Sequence, residues 1–182
     1  MEVPPKSIFF YLLFNLVFNV LAKFTANKGI NNLPLLHLYT LLDFCLLCVV
    51  FSIFYNKKTK TYLFFLISFV FVVFAIGYAV KYSLYQHNSL PRFLESLFVV
   101  VVCCHFLLKQ LNHKSNTQQE FEIFIISGLF LYYSCCTALF GFSGELLSLS
   151  RNMENIVWNF HAAIMLCMYL VFGYAYIKVK EK

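Results

Sequence analysis

Apolar residues run along this chain in long, nearly uninterrupted stretches, and the polar positions gather in short breaks between them. A helix that crosses a bilayer needs about 20 mostly apolar residues. Six stretches meet that requirement: Ser7–Phe24, Leu35–Tyr55, Tyr62–Tyr82, Pro91–Leu111, Phe121–Phe142 and Glu154–Val179. The breaks carry helix punctuation. Pro4-Pro5 precedes the first stretch, Pro34 lies in the first turn of the second, and Pro91 opens the fourth. Proline is tolerated there because the N–H it lacks has no intrahelical partner. Gly141 and Gly144 end the fifth. The pattern predicts an all-α, polytopic membrane helix bundle of six transmembrane helices, forming a single integral membrane domain over residues 1–182.

The helices are not equivalent. The third has a single polar side chain in its apolar run, Ser68, and a helix that is apolar all round can face lipid. It is expected to be the most peripheral. The fifth carries Ser134, Ala138 and Gly141 along one face, small residues that let helix backbones approach. The first and second halves share no motif, which speaks against a transporter built from inverted repeats.

Composition agrees. The chain is 61% hydrophobic and 12% charged, about half the roughly 25% charge of soluble domains. Charge adds orientation. The net charge of +6 reflects basic residues that flank helices, and basic loops face the cytoplasm, so no nucleic-acid partner is implied. With the N-terminus on one side, nine Lys fall there: Lys6, Lys57, Lys58, Lys60, Lys109, Lys114, Lys178, Lys180 and Lys182. Five basic residues fall on the other: Lys23, Lys28, Lys81, Arg92 and Arg151. This excess predicts that both termini are cytoplasmic. The first stretch has a weak basic start, and Asn15 and Asn19 interrupt it, so it is expected to be a mature helix and not a cleaved signal peptide. All seven cysteines fall inside apolar runs, where they are expected to be thiols packing as small apolar residues.

Candidate chemistry lies in the polar groups carried into the membrane. The break Asn31-Asn32-Leu33-Pro34 leads into a helix bearing His37, Tyr39, Thr40 and Asp43. Tyr39 and Asp43 are one turn apart, with Thr40 beside them. A carboxylate in a bilayer costs several kcal/mol, of order 3, unless it is paired, hydrated or protonated. With both termini inside, these residues occupy the outer half of the second helix. Glu95 lies near the outer end of the fourth, Ser143 and Glu145 at the exit of the fifth, and Asn155, Trp158, Asn159 and His161 at the outer end of the sixth. Their common depth predicts an outward-facing polar pocket lined by His37, Tyr39, Thr40, Asp43, Glu95, Trp158, Asn159 and His161.

Each has a plainer alternative. Asp43 could bond within its own helix or to an Asn of the first. Glu95 near a helix N-terminus is favoured by the helix dipole, and Trp158 suits an interfacial aromatic belt. His37, Asp43, Glu95 and His161 could in principle form a tetrahedral metal set, but no short ligand spacing such as His-x-x-x-His supports one. His105, in the inner half of its helix, lies outside that set. Cys45-Leu-Leu-Cys48 has redox spacing, but it sits turns into a spanning helix, where packing explains it better. No metal, cofactor or catalytic residue is therefore assigned.

Three stretches resemble a group of uncharacterised small six-helix integral membrane proteins of Bacteroidota, often encoded near sensor histidine kinases. They are Asn31-Asn32-Leu-Pro-Leu-Leu-His37-Leu-Tyr39-Thr40-Leu-Leu-Asp43-Phe, Ser127-Gly128-Leu-Phe-Leu-Tyr132-Tyr133-Ser134, and Ile156-Val-Trp158-Asn159-Phe-His161-Ala-Ala-Ile. The group typically has Glu where this chain has Asp43. The resemblance implies the topology, a bacterial inner (cytoplasmic) membrane location and a signalling context.

The leading expectation is a multi-pass sensing or binding module that takes a small molecule, lipid or proton into the outward pocket. It would signal through a membrane or cytoplasmic partner protein; a homo-oligomer is a separate expectation, one that could supply a polar path no single chain has. A small transporter or channel subunit would need a polar path to the cytoplasmic face, and the inner halves supply only scattered groups such as Ser52, Ser68, His105 and Lys109. An enzyme would need a nucleophile or metal constellation that is not evident. A structural subunit, with its polar groups used only for helix packing, is the remaining alternative.

Overall fold

The structure is a computed structural model that describes residues 6–55, 57–110, 117–142 and 151–180, with Thr117, Gln118, Arg151, Glu154, Val179 and Lys180 described by their backbone alone. Six helices account for most of them: α1 (Lys6–Asn27), α2 (Leu33–Tyr55), α3 (Lys58–Tyr82), α4 (Ser89–Gln110), α5 (Thr117–Gly141) and α6 (Arg151–Lys180). No described residue lies in a strand. Each helix contains a stretch long and apolar enough to cross a membrane. The chain thus has the build of a multi-pass membrane protein. Lys114, Ser143, Gly144 and Glu145, which the sequence places in breaks, lie outside the described residues.

The helix ends have local causes. α1 stops because Gly29 takes a left-handed φ of 67°. Gly29 N then donates to Ala26 O at 3.0 Å and Ile30 N to Thr25 O at 3.0 Å, satisfying carbonyls of the last turn. At the start of α2, Asn31 Oδ1 accepts from Leu33 N at 3.0 Å, and Asn32 O receives the first helical bond from Leu36 N at 3.1 Å. α3 begins with its basic turn included: Lys57 is extended, and Thr61 N donates to Lys57 O at 3.0 Å.

The chain divides into two compact units, one of residues 5–91 and the other dominated by residues 92–182. In the first, α2 is the central helix, buried over 56% of its spanning stretch. Its Phe44 stacks on Phe71 of α3 with centroids 3.9 Å apart, and its Phe51 and Tyr55 meet Phe64. Ser68 donates to Cys45 Sγ at 3.2 Å. α3 is therefore not the most peripheral helix: 22% of its spanning stretch is buried, against 17% for α1 and 11% for α6. In lipid, where tails are as apolar as Leu, close packing decides which helix is covered, and Phe64, Phe71 and Ala75 give α3 a well-fitted face.

In the second unit, α5 and α6 form an antiparallel pair. Lys178 reaches Glu120 at 3.4 Å at one end, Phe121 meets Tyr176 and Phe124 meets Tyr174 edge-on, and Tyr132 meets His161 toward the other end. The two helices pack tightly at Gly128, where an added Cβ would lie 2.9 Å from the buried Phe172 ring. In the Ser134, Ala138 and Gly141 stripe, Ala138 and Gly141 are exposed, and a Cβ on Gly141 would lie 3.2 Å from Phe93. On α4 the buried residues Arg92, Glu95, Ser96, Val99, Cys103 and Phe106 recur at helical spacing. No disulfide joins any of the seven cysteines.

Candidate functional site

The residues singled out in the sequence divide between the two units. His37, Tyr39, Thr40 and Asp43 belong to the first; Glu95, Trp158, Asn159 and His161 belong to the second.

In the first unit, the polar residues of α2 point two ways, because neighbouring positions on a helix are about 100° apart. Tyr39 turns to α1. Its hydroxyl donates to Asn15 Oδ1 at 2.5 Å, and its ring stacks on Phe14 at a 9° interplanar angle. Asn15 in turn donates to Tyr11 O at 2.9 Å, and Asn19 to Asn15 O at 2.9 Å. His37 and Thr40 turn instead to the segment that links α3 to α4. His37 Nε2 lies 3.0 Å from Gln86 O, a contact that requires the proton on Nε2, since a carbonyl only accepts. Asn88 Nδ2 donates to Thr40 Oγ1 at 2.6 Å and to Leu36 O at 3.3 Å. Thr40 Oγ1 donates to Leu36 O at 3.0 Å. His37, Thr40 and Asn88 are all buried, and the α3–α4 segment is clasped to α2 by the buried Asn88–Thr40 bond and the part-buried bonds to Gln86 O and Leu36 O. Asp43, one turn further along α2, is fully buried.

The clasped segment is tightly folded. Ser83 has φ 80° and ψ 140°, a conformation that non-glycine residues rarely hold. Its hydroxyl accepts from Tyr85 N at 3.2 Å, and its carbonyl accepts from Gln86 N at 3.3 Å, closing a turn. Between this turn, α2 and α3 lies a cavity of about 580 Å³. His37, Thr40, Ser83 and Asn88 give it one polar region; Leu38, Leu41, Ile76, Ala79, Val80 and Leu84 give it apolar walls. Its volume falls within the usual range of small-molecule sites, and apolar walls with a few placed polar groups are their usual make-up.

In the second unit, Glu95 Oε2 lies 2.8 Å from Arg92 Nη1, both side chains being buried. The Arg92 guanidinium also sits 5.2 Å from the centre of the Phe140 ring. Ser96, buried beside them, donates back to Arg92 O at 2.8 Å. His161 is half-buried, with Nε2 at 3.2 Å from Tyr132 Oη and 3.5 Å from Cys136 Sγ. Trp158 meets the His161 ring edge-on and is 44% exposed; Asn159 is exposed. Among the described residues no group of three or more His, Cys, Asp or Glu is placed to hold a metal ion.

Of the eight residues expected to line a pocket, the cavity takes His37 and Thr40. Sequence reasoning passed over Asn88, Ser83 and Arg92. Read from the sequence, Arg92 is only one of the five outer basic residues, although Glu95 three residues on is a helical ion-pair spacing that points to a partner. Asn88 carried a weaker signal, an amide directly before a helix start. Ser83 carried none, because nothing in its neighbours demands a positive φ. No family model, curated protein or solved structure matches this chain.

Proposed function

We propose that the protein is a sensing or binding module of a bacterial inner membrane, with both termini in the cytoplasm, that takes a ligand into the α2–α3 cavity and signals through a partner protein. The observation that carries this reading is the cavity itself: about 580 Å³, apolar-walled, with His37, Thr40 and Asn88 brought together in its lining from residues some fifty positions apart in the chain. The α3–α4 segment is the element a ligand would act on. It is tied to α2 by two side chains and holds a strained residue, so occupancy of the cavity bears directly on how it sits. The excess of basic residues beside Lys57-Lys58 and the C-terminus supports the orientation, in which the cavity opens in the outer half of the membrane.

One observation favours a second reading. His37, Tyr39 and Thr40 each have a hydrogen-bond partner inside the first unit, as residues that only fix helix packing would. Thermal unfolding of the detergent-purified protein separates the two. A lipid extract of the host membrane raises the unfolding temperature of a binding module in proportion to occupancy, and the rise shrinks in His37→Ala. A variant that is merely less stable, with the same response to extract as wild type, returns the residues to packing.

A further inference from the structure

The lining of the cavity also restricts the chemistry of its ligand, on the reading that it is a binding site. Its residues are Pro34, the α2 and α3 side chains already named together with Ala75 of α3, the turn residues Ser83, Leu84 and Tyr85, and Asn88 and Pro91 beside the start of α4. None of them is Lys, Arg, Asp or Glu. Asp43 is on the same helix but is not among them, and Lys81, in the last turn of α3, instead sits 5.0 Å from the Tyr82 ring centre. A charged head group brought into this lining would lose hydration and gain no counter-charge, which apolar surroundings make costly. A neutral head group meets better partners. The Ser83 and Tyr85 hydroxyls can each donate or accept, whereas Thr40 Oγ1, whose proton goes to Leu36 O, and the His37 ring, whose Nε2 proton goes to Gln86 O, can accept. The apolar walls suit a chain. Leu38, Ile76 and Val80 are exposed along them, on helices long and apolar enough to span a bilayer, so a lipid tail can reach the cavity sideways without crossing water.

We infer that the cavity binds a neutral single-chain amphiphile: an acyl or isoprenoid chain along Leu38, Ile76 and Val80, ending in an uncharged hydroxyl- or carbonyl-bearing head at His37, Thr40 and Ser83. Charge complementarity selects this occupant over a phospholipid, whose phosphate would find no Lys or Arg in the lining.

The test is photo-crosslinking. The full-length chain is reconstituted in phosphatidylcholine nanodiscs with a monoacylglycerol carrying a diazirine in its chain, and adducts are mapped by peptide mass spectrometry. Unlabelled monooleoylglycerol competes in one arm, and the lysophosphatidylglycerol with the same chain in another. The expected result is adducts concentrated on residues 34–41 and 76–85, abolished by monooleoylglycerol and untouched by the lysophospholipid. Ala79→Phe, which puts a ring into the cavity beside the chain path, should lose these adducts while keeping background labelling on α1. Equal competition by the lysophospholipid would overturn the neutral-head assignment and leave binding at the cavity standing. Adducts spread evenly over the exposed faces of α1 and α6 would overturn both. Should Ala79→Phe fail to fold, the wild-type competition decides alone.

Discussion

Ser83 shows how much one residue can carry. A φ of 80° with ψ 140° is open to glycine at little cost and to serine only under constraint. The constraint is the pair of ties from the α3–α4 segment to α2, at His37–Gln86 O and Asn88–Thr40. Ser83→Gly is therefore expected to stabilise the fold by about 1 kcal/mol, the low end of what such backbone strain costs, read as a rise in unfolding temperature. Thr40→Val acts the other way. It removes the hydroxyl that accepts from Asn88 at 2.6 Å and leaves a buried amide short of a partner. The expected loss is about 1–3 kcal/mol, and hydrogen exchange should accelerate in the α3–α4 segment ahead of the helices. A ligand that relies on the clasp would bind Ser83→Gly and Thr40→Val differently, so the two variants measured together separate stability from binding. His37 and Thr40 were legible in the sequence as polar residues inside an apolar helix. Their partners were not, because a hydrogen bond between positions 40 and 88 leaves no trace in the periodicity of either segment.

At the scale of elements, the six helices were legible because a bilayer imposes a length and an apolarity that run directly along the sequence, and boundaries differed from expectation only by a turn or so at the ends. The basic Lys58-Thr59-Lys60 joins α3, and Arg151 and Asn152 join α6, since backbone hydrogen bonding continues past the apolar limit. Which helices are covered was less legible. Polarity suggested that α3 would be outermost, yet shape decides in lipid, and Phe44 on Phe71 holds it to α2. The same point applies to α5 and α6. Their contact rests on Gly128, where even a methyl group would press on a ring that is 1% exposed. Gly128→Ala should cost about 1–3 kcal/mol by overpacking, whereas Lys178→Ala, breaking a part-exposed pair at 3.4 Å, should cost at most about 1 kcal/mol. Unfolding in a mild detergent would rank the two. On α4, Glu95→Gln takes away the carboxylate 2.8 Å from a buried guanidinium, and removal of one member of such a pair costs about 3–5 kcal/mol. Glu95→Gln together with Arg92→Met should recover much of that loss, which a carboxylate needed for binding alone would not do.

For the whole molecule, topology links the cavity to any function, because the same site does different work on the two sides of a membrane. Nine basic residues on one side against five on the other is a modest bias, and one of the five, Arg92, is buried against Glu95, so it does not act as a free loop charge. Taking it out sharpens the contrast. The remaining outer charges are Lys23, Lys28, Lys81 and Arg151, spread over three breaks, while Lys57, Lys58 and Lys60 concentrate in one. Short loops rich in Lys resist translocation, and that concentration supports the proposed orientation, with the α2–α3 break inside. In that proposed orientation the α1–α2 and α3–α4 breaks lie outside, and with them the turn that borders the cavity. A cysteine-free background carrying either Lys57→Cys or Gln86→Cys tests this directly, since both positions are exposed. In intact cells a membrane-impermeant maleimide should label Gln86→Cys and spare Lys57→Cys; in inverted vesicles the pattern should reverse. The reverse result in cells would turn the cavity toward the cytoplasm. A sensing role would then concern ligands delivered from the inner leaflet, and the partner that reads the site would have to meet the α3–α4 segment itself, not the lysine-rich face opposite it.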